Sequence, residues 1–213
     1  MEDNIARRIY TNEAMCEVVK LYIKYIHQYL HVAKSNMCVF LMEKSGASYD
    51  PKGKLDPKTG LKIIRDGIHI MFPDIITHAK IAHKIREAVI GEIPQILDGF
   101  HFTNSYKEIV DESVIERNNW FLYGSAKPNQ PAYIVSIAYN YEIVEGETIL
   151  KEIPTTNFSD MDYAKKFSIL GRDKKPWRNA VKSQYMDILE STGEIVKSEY
   201  NKNREESRKK TRH

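Results

Sequence analysis

A chain of 213 residues, 42% of them hydrophobic and with 13 tyrosines, can bury one core of ordinary domain size, which excludes a wholly disordered polypeptide. Its formal charge of +3 is too mild for composition alone to indicate nucleic acid, and the two isolated cysteines, Cys16 and Cys38, support neither a zinc ribbon nor a disulfide scaffold, reading instead as buried thiols of a reducing compartment. No apolar run approaches the roughly 20 residues of a membrane span and no signal-peptide pattern opens the chain, so the expectation is a soluble, intracellular protein without a membrane partner.

Residues 1–11 are polar. Thr11 is placed to cap a helix beginning at Asn12-Glu13, and Glu13 and Glu17 favour its N-terminal end. Val18, Leu21, Tyr22, Tyr25, Ile26 and Tyr29 recur at helical spacing and predict an amphipathic helix to about His31. His27 and His31 stand four apart, lack a third ligand and read as exposed. Met37 to Glu43 is a buried-type strand. Lys44 to Gly60, with Gly46, Pro51, Gly53, Pro57 and Gly60, predicts a long hairpin-like loop. Lys52, Lys54 and Lys58, with Lys44 and Lys62, suit a nucleic-acid backbone, although a charge-rich loop is more often simply solvated.

Ile63 to Pro73 reads as a strand, a kink at Asp66-Gly67 and a second strand. Period-two alternation puts Ile68 and Ile70 on one face and His69 on the other. Taken alone, the pattern more often means a half-buried strand with a solvated or core-satisfied histidine. Pro73-Asp74 then opens a helix capped by Asp74 or Thr77. Its apolar face is Ile75, Ile76, Ala79, Ala82, Ile85, Val89 and Ile93, and His78, Lys80, His83, Lys84 and Arg86 form a basic flank. After an irregular stretch to Tyr106, Asp111 closes a short apolar run. It is followed by Arg117, an aromatic strand at Trp120–Tyr123, and Gly124-Ser125-Ala126-Lys127-Pro128. A carboxylate, a histidine, an arginine and a lysine delivered from neighbouring strands suit a metal-bound triphosphate, the carboxylate holding the cation and the donors meeting phosphate oxygens. Pro131 to Tyr139 is a further strand, Tyr141 to Ile153 a hairpin turning at Glu145-Gly146, and Phe158 to Ser168 a short helix capped by Ser159 or Asp160. From Gly171 the chain is charged and poor in core residues, and 171–213 reads as a linker or tail of low order.

With these motifs in order, residues 5–170 resemble the archaeo-eukaryotic primase superfamily, and within it the primase module at the front of the primase–helicases of large nucleocytoplasmic DNA viruses. Gly67-Ile68-His69 resembles the family's small-residue-x-histidine motif and Val110-Asp111 its later apolar-aspartate motif. The run from Ser113 to Lys127 is similar to the stretch that follows that aspartate. The resemblance implies His69 as a catalytic, nucleotide-contacting residue, Asp111 as a catalytic metal ligand, and Arg117 and Lys127 as phosphate contacts. Asn118 joins Lys52, Lys54 and Lys58 as a weaker candidate for nucleic acid. It also implies a primase-like module over 1–170 and, over 171–213, a tail that would lead to a helicase region. Two departures stand out. The serine often found two places before the histidine is Gly67 here, and the acidic pair of the family's first motif, which precedes the first helix, has no counterpart. The expectation is therefore an N-terminally incomplete module. No GxxxxGK[ST] loop occurs, so no helicase motor is expected within these residues.

The activity so implied is metal-dependent nucleotidyl transfer, with Mg²⁺ or Mn²⁺, making primers from nucleoside triphosphates on a single-stranded DNA template. A replicative helicase, fused or separate, is the implied partner, and a viral replication site in host cytoplasm or nucleus the implied setting. With Asp111 as the sole carboxylate, the chain alone is expected to polymerise poorly or not at all. The alternative is a non-catalytic nucleotide- or DNA-binding module of a replication complex. The expected fold is α/β (α+β), a mixed, largely antiparallel sheet with packed helices, primase-like but lacking its N-terminal strands, with His69 and Asp111 on adjoining strands.

Overall fold

A computed structural model describes residues 6–32, 37–116, 123–126, 131–168 and 179–190. Helix α1 (Asn12–Tyr29) begins where Thr11 accepts the Ala14 N–H at 3.2 Å, as its position predicts. Its buried arc includes Met15, Val19 and Ile23 besides Val18, Leu21, Tyr25 and Ile26. That is wider than one stripe because α1 packs on the sheet, on α2 (Ala79–Glu92) and on α3 (Pro94–Leu97).

The main sheet has the order β4-β1-β5-β6, every pairing antiparallel: β1 (Met37–Glu43), β4 (Ile68–Met71), β5 (Ile134–Val144) and β6 (Glu147–Ile153). The expected largely antiparallel sheet with packed helices is what forms, and among the described strands no pairing is parallel. Between β1 and β4 the chain makes a small second sheet, β2 (Ser48–Tyr49) with β3 (Ile64–Arg65). The β5–β6 turn falls at Glu145-Gly146, both at positive φ (52° and 89°), which matches the twist of a tight hairpin.

Each face of the main sheet carries its own apolar cluster. Val39, Leu41, Tyr139 and Tyr141, with Ile68 and Ile70, face α1 and α2 (Ala79–Glu92). Phe40, Met42, Val135 and Ala138 face the opposite side, under Phe158 and Tyr163 and Phe167 of α6 (Asp160–Phe167). Val135 and Ala138 are three apart yet share a face, because the β1–β5 register slips between Leu41 and Met42. Helix α6 starts at Ser159, whose hydroxyl and N–H form a capping box with Asp162.

Several expectations are corrected. Helix α2 begins at Ala79 rather than near Asp74, and its cap is His78, whose Nδ1 accepts the Lys80 N–H at 3.2 Å. Ile81, absent from the predicted face, is fully buried. His27, expected on the surface, is half-buried, 3.1 Å from the Tyr141 hydroxyl and edge-on to its ring. Within the stretch read as a low-order tail, residues 179–190 pack on the core: Val181 bridges to Leu30, and α7 (Asp187–Glu190) brings Ile188 and Leu189 against it. Both cysteines are free and half-buried. Among the described residues no helix is long and apolar enough to cross a membrane.

Candidate functional site

His69 lies on β4, directly across from Met42 of β1, and Met42 is in turn opposite Val135 of β5. Directly paired residues point to the same face, so His69 projects to the α6 side while Ile68 and Ile70 lock β4 onto α1 and α2. The alternation expected for this strand therefore holds. The imidazole is stacked on Tyr133, just before β5, with ring centroids 4.0 Å apart and planes inclined by 13°. The Tyr133 hydroxyl fills the space beside Gly67, 2.9 Å from where a β-carbon would stand. Lys44 holds its ammonium 5.3 Å over the other component of the stack, the Tyr133 ring. Burial, and secondarily the Lys44 charge, push the His69 pKa below its ordinary value, so a neutral imidazole is favoured at neutral pH.

Next to this stack sits a group of charges on the segments that flank it. Arg8 donates to the Glu43 carboxylate and to the Lys44 carbonyl, and at 2.7 Å to the Tyr10 hydroxyl, which itself donates to Glu43 at 2.7 Å. Burial and the bond to Glu43 raise the Tyr10 pKa, keeping the phenol a donor. Asp66 accepts the Gly67 N–H at 2.8 Å. Its other oxygen is buried with no hydrogen-bond partner, the Arg8 guanidinium lying 3.6 Å away as counter-charge. One arginine thus serves two carboxylates and fixes the Asp66-Gly67 corner from which β4 departs.

Asp111 is placed differently from expectation. It lies on no strand, but between α4 (Tyr106–Ile109) and α5 (Ser113–Glu116), and its exposed carboxylate accepts the Ser113 N–H at 2.8 Å and the Ser113 hydroxyl at 2.7 Å, an Asx-type turn. The preceding Val110 belongs to the core on the α1–α2 side, and Arg86 of α2 donates to its carbonyl at 2.7 Å. His69 and Asp111 are therefore not on adjoining strands; the apolar Ile109-Val110 run ends a helical turn instead of forming a strand. Arg117, Asn118 and Lys127 lie outside the described residues, as does the predicted strand up to Leu122. Lys52, Lys54 and Lys58 are exposed on the β2–β3 hairpin.

Sequence reasoning passed over Tyr133, Arg8, Tyr10, Glu43 and Asp66. Tyr133 was legible only as two places before Val135, on the same side of β5. That β5 lies next but one to β4, through β1, is not written in any local pattern. Among the described residues, no group of three or more His, Cys, Asp or Glu side chains could hold a metal ion. Glu43 and Asp66 are engaged by Arg8, and Asp111 by Ser113, so these residues do not by themselves fit a divalent cation.

A family model described as the C962R protein N-terminal AEP domain matches residues 1–139. The chain belongs to this family of archaeo-eukaryotic primase domains, as the two motifs around His69 and Asp111 had suggested. Over 163 residues, 76% of this chain, it is 28% identical to a protein of Acanthamoeba polyphaga mimivirus named "Putative helicase L207/L206". The chain spans 16% of the length of that relative.

Proposed function

We propose that this chain is the primase-like part of a viral-type DNA replication primase–helicase, and that the His69 face of its sheet receives the triphosphate of an incoming nucleotide. The observation that supports it best is the match of residues 1–139 to a primase domain family, with His69 stacked on Tyr133 beside Lys44. A neutral imidazole donates one hydrogen bond to a phosphate oxygen and, once an anion raises its proton affinity, adds a charge. Arg117 and Lys127 are assigned the remaining phosphate contacts. A divalent ion, Mg²⁺ or Mn²⁺, would supply Lewis-acid chemistry for nucleotidyl transfer, with Asp111 offering one carboxylate. Among the described residues no metal set is complete, and on this reading the chain by itself makes primers poorly or not at all.

That same shortage of carboxylates favours a second reading, a non-catalytic nucleotide- or DNA-binding module acting beside a helicase. Calorimetry with a nucleoside triphosphate, with and without Mn²⁺, on the chain and on H69A and D111A separates the possibilities. We expect H69A to weaken triphosphate binding at least tenfold, and D111A to weaken only the Mn²⁺-dependent part. An H69A variant that binds as the parent does would remove His69 from the site, and vigorous primer synthesis by the 213 residues alone would refute the division of labour.

A further inference from the structure

Between β1 and β4 the chain leaves the domain as a folded hairpin that neither apolar core needs. Residues 44–65 carry five lysines and Arg65 against Asp50 and Asp56, a net charge of +4 that exceeds the +3 of the whole chain. Both aspartates are used internally. Asp50 is 5% exposed, pairs with Arg65 and accepts the Lys52 N–H at 2.8 Å; against the opposing effect of burial, these contacts hold its pKa below the usual range. Asp56 accepts the N–H groups of Lys58 and Thr59 at 2.7 and 3.0 Å. The ladder runs on past β2 and β3 through Asp50 to Ile63, Ile63 to Lys54 and Asp56 to Leu61, with Gly53 and Gly60 taking the positive-φ turns (64° and 71°).

The acids thus build the hairpin and leave the bases outside. Lys52, Lys54, Lys58 and Lys62 are exposed, and among the described residues none of them forms an ion pair. Beside them, on adjacent rungs of the tip, Leu55 and Leu61 are 56% and 69% exposed, and Lys62 sits 5.4 Å over the Tyr49 ring. Lysines alone would describe a solvated face. Lysines interleaved with outward leucines and a tyrosine describe a surface for a polyanion that also offers apolar faces.

We propose that the β2–β3 hairpin is a grip for single-stranded nucleic acid, its four lysines meeting successive phosphates and Leu55, Leu61 and Tyr49 meeting unstacked bases. A duplex hides its bases and uses only the lysines, so the apolar tip selects the single strand. The grip does not depend on the triphosphate reading of His69.

Fluorescence anisotropy of a labelled 20-nucleotide oligo-dT, titrated with the full chain at several NaCl concentrations, tests it. The K52A/K54A/K58A/K62A variant should lose about tenfold or more in affinity at low salt and about three in the slope of log K against log salt, since each phosphate contact on a single strand contributes about 0.7. The L55S/L61S variant should lose affinity with the slope kept, and H69A should bind the strand as the parent does. Circular dichroism checks that each variant is folded. The proposal is overturned if the lysine variant binds unchanged, if all binding vanishes instead on neutralising Arg208, Lys209, Lys210 and Arg212, or if a 20-base-pair duplex or heparin is preferred to the single strand.

Discussion

A β-carbon on Gly67 would stand 2.9 Å from the Tyr133 hydroxyl, so a side chain there must displace either the strand or the tyrosine. The glycine is set by space rather than by backbone conformation. The tyrosine cannot swing away cheaply, because its ring lies flat on His69 and under Lys44. The Tyr133 hydroxyl thus takes the space that a side chain at position 67 would need, delivered from β5's approach instead of from β4. Gly67→Ser should destabilise the protein by about 1–3 kcal/mol, as overpacking does elsewhere. In a Y133F background, which removes the oxygen in contact, most of that loss should disappear. Urea unfolding of the four members of this cycle gives the coupling directly. Equal losses in both backgrounds would mean that Tyr133 does not fill the Gly67 space.

At the scale of elements, the sequence announced those whose signals are local. Thr11 and Ser159 cap where expected, and Glu145-Gly146 turns the hairpin. What escaped was decided by partners distant in sequence. Asp74 and Thr77 looked like caps for α2, but the path from β4 buries Asp74 Oδ2 and Thr77 Oγ1 without hydrogen bonds and hands the role to His78. Residues 179–190 have some helical periodicity but few core residues, and backbone bonds add to the packing of Val181, Ile188 and Leu189. The Asn179 N–H donates to the Ile76 carbonyl at 2.7 Å, the His31 N–H to Ala180 at 2.8 Å, and the Lys182 N–H to Tyr29 at 2.9 Å. The Asn179 side chain adds two more, accepting the Ile76 N–H at 2.9 Å and donating to the His31 carbonyl at 3.3 Å. It therefore ties the end of α1 to the loop before α2. Asn179→Ala should lower stability by about 1–2 kcal/mol, since the Ile76 amide loses a part-buried partner. Hydrogen exchange at Ile76 and Lys182 should accelerate in the variant. Unchanged exchange there would show that the segment does not clamp these elements.

Over the whole molecule, the two faces of one sheet divide the work. The α1–α2 side holds the larger core, and the other side presents His69. Alternation around His69 revealed that division, whereas the neighbours of His69 required the strand order. Each face buries one histidine in a position that disfavours its proton. Burial, then Lys182, lowers the pKa of His27 beside Tyr141; burial, then Lys44, lowers that of His69. In the unfolded chain both titrate near the ordinary value of about 6.5. Below that pH the unfolded state binds more protons than the folded one, so unfolding free energy rises with pH in this range and falls as the medium is acidified. The stabilising difference is fully present above about pH 6.5. It diminishes on acidification, by at most about 1.4 kcal/mol per pH unit for each proton, until the folded histidines themselves take up protons. Urea midpoints should thus drop between pH 7.5 and 5.5 in the parent chain, and H27Q/H69Q should flatten the dependence while changing the value at pH 7.5 much less. A double variant that keeps the parent's slope would show that other groups set the acid sensitivity, and that these two imidazoles are not held away from their protons by the fold.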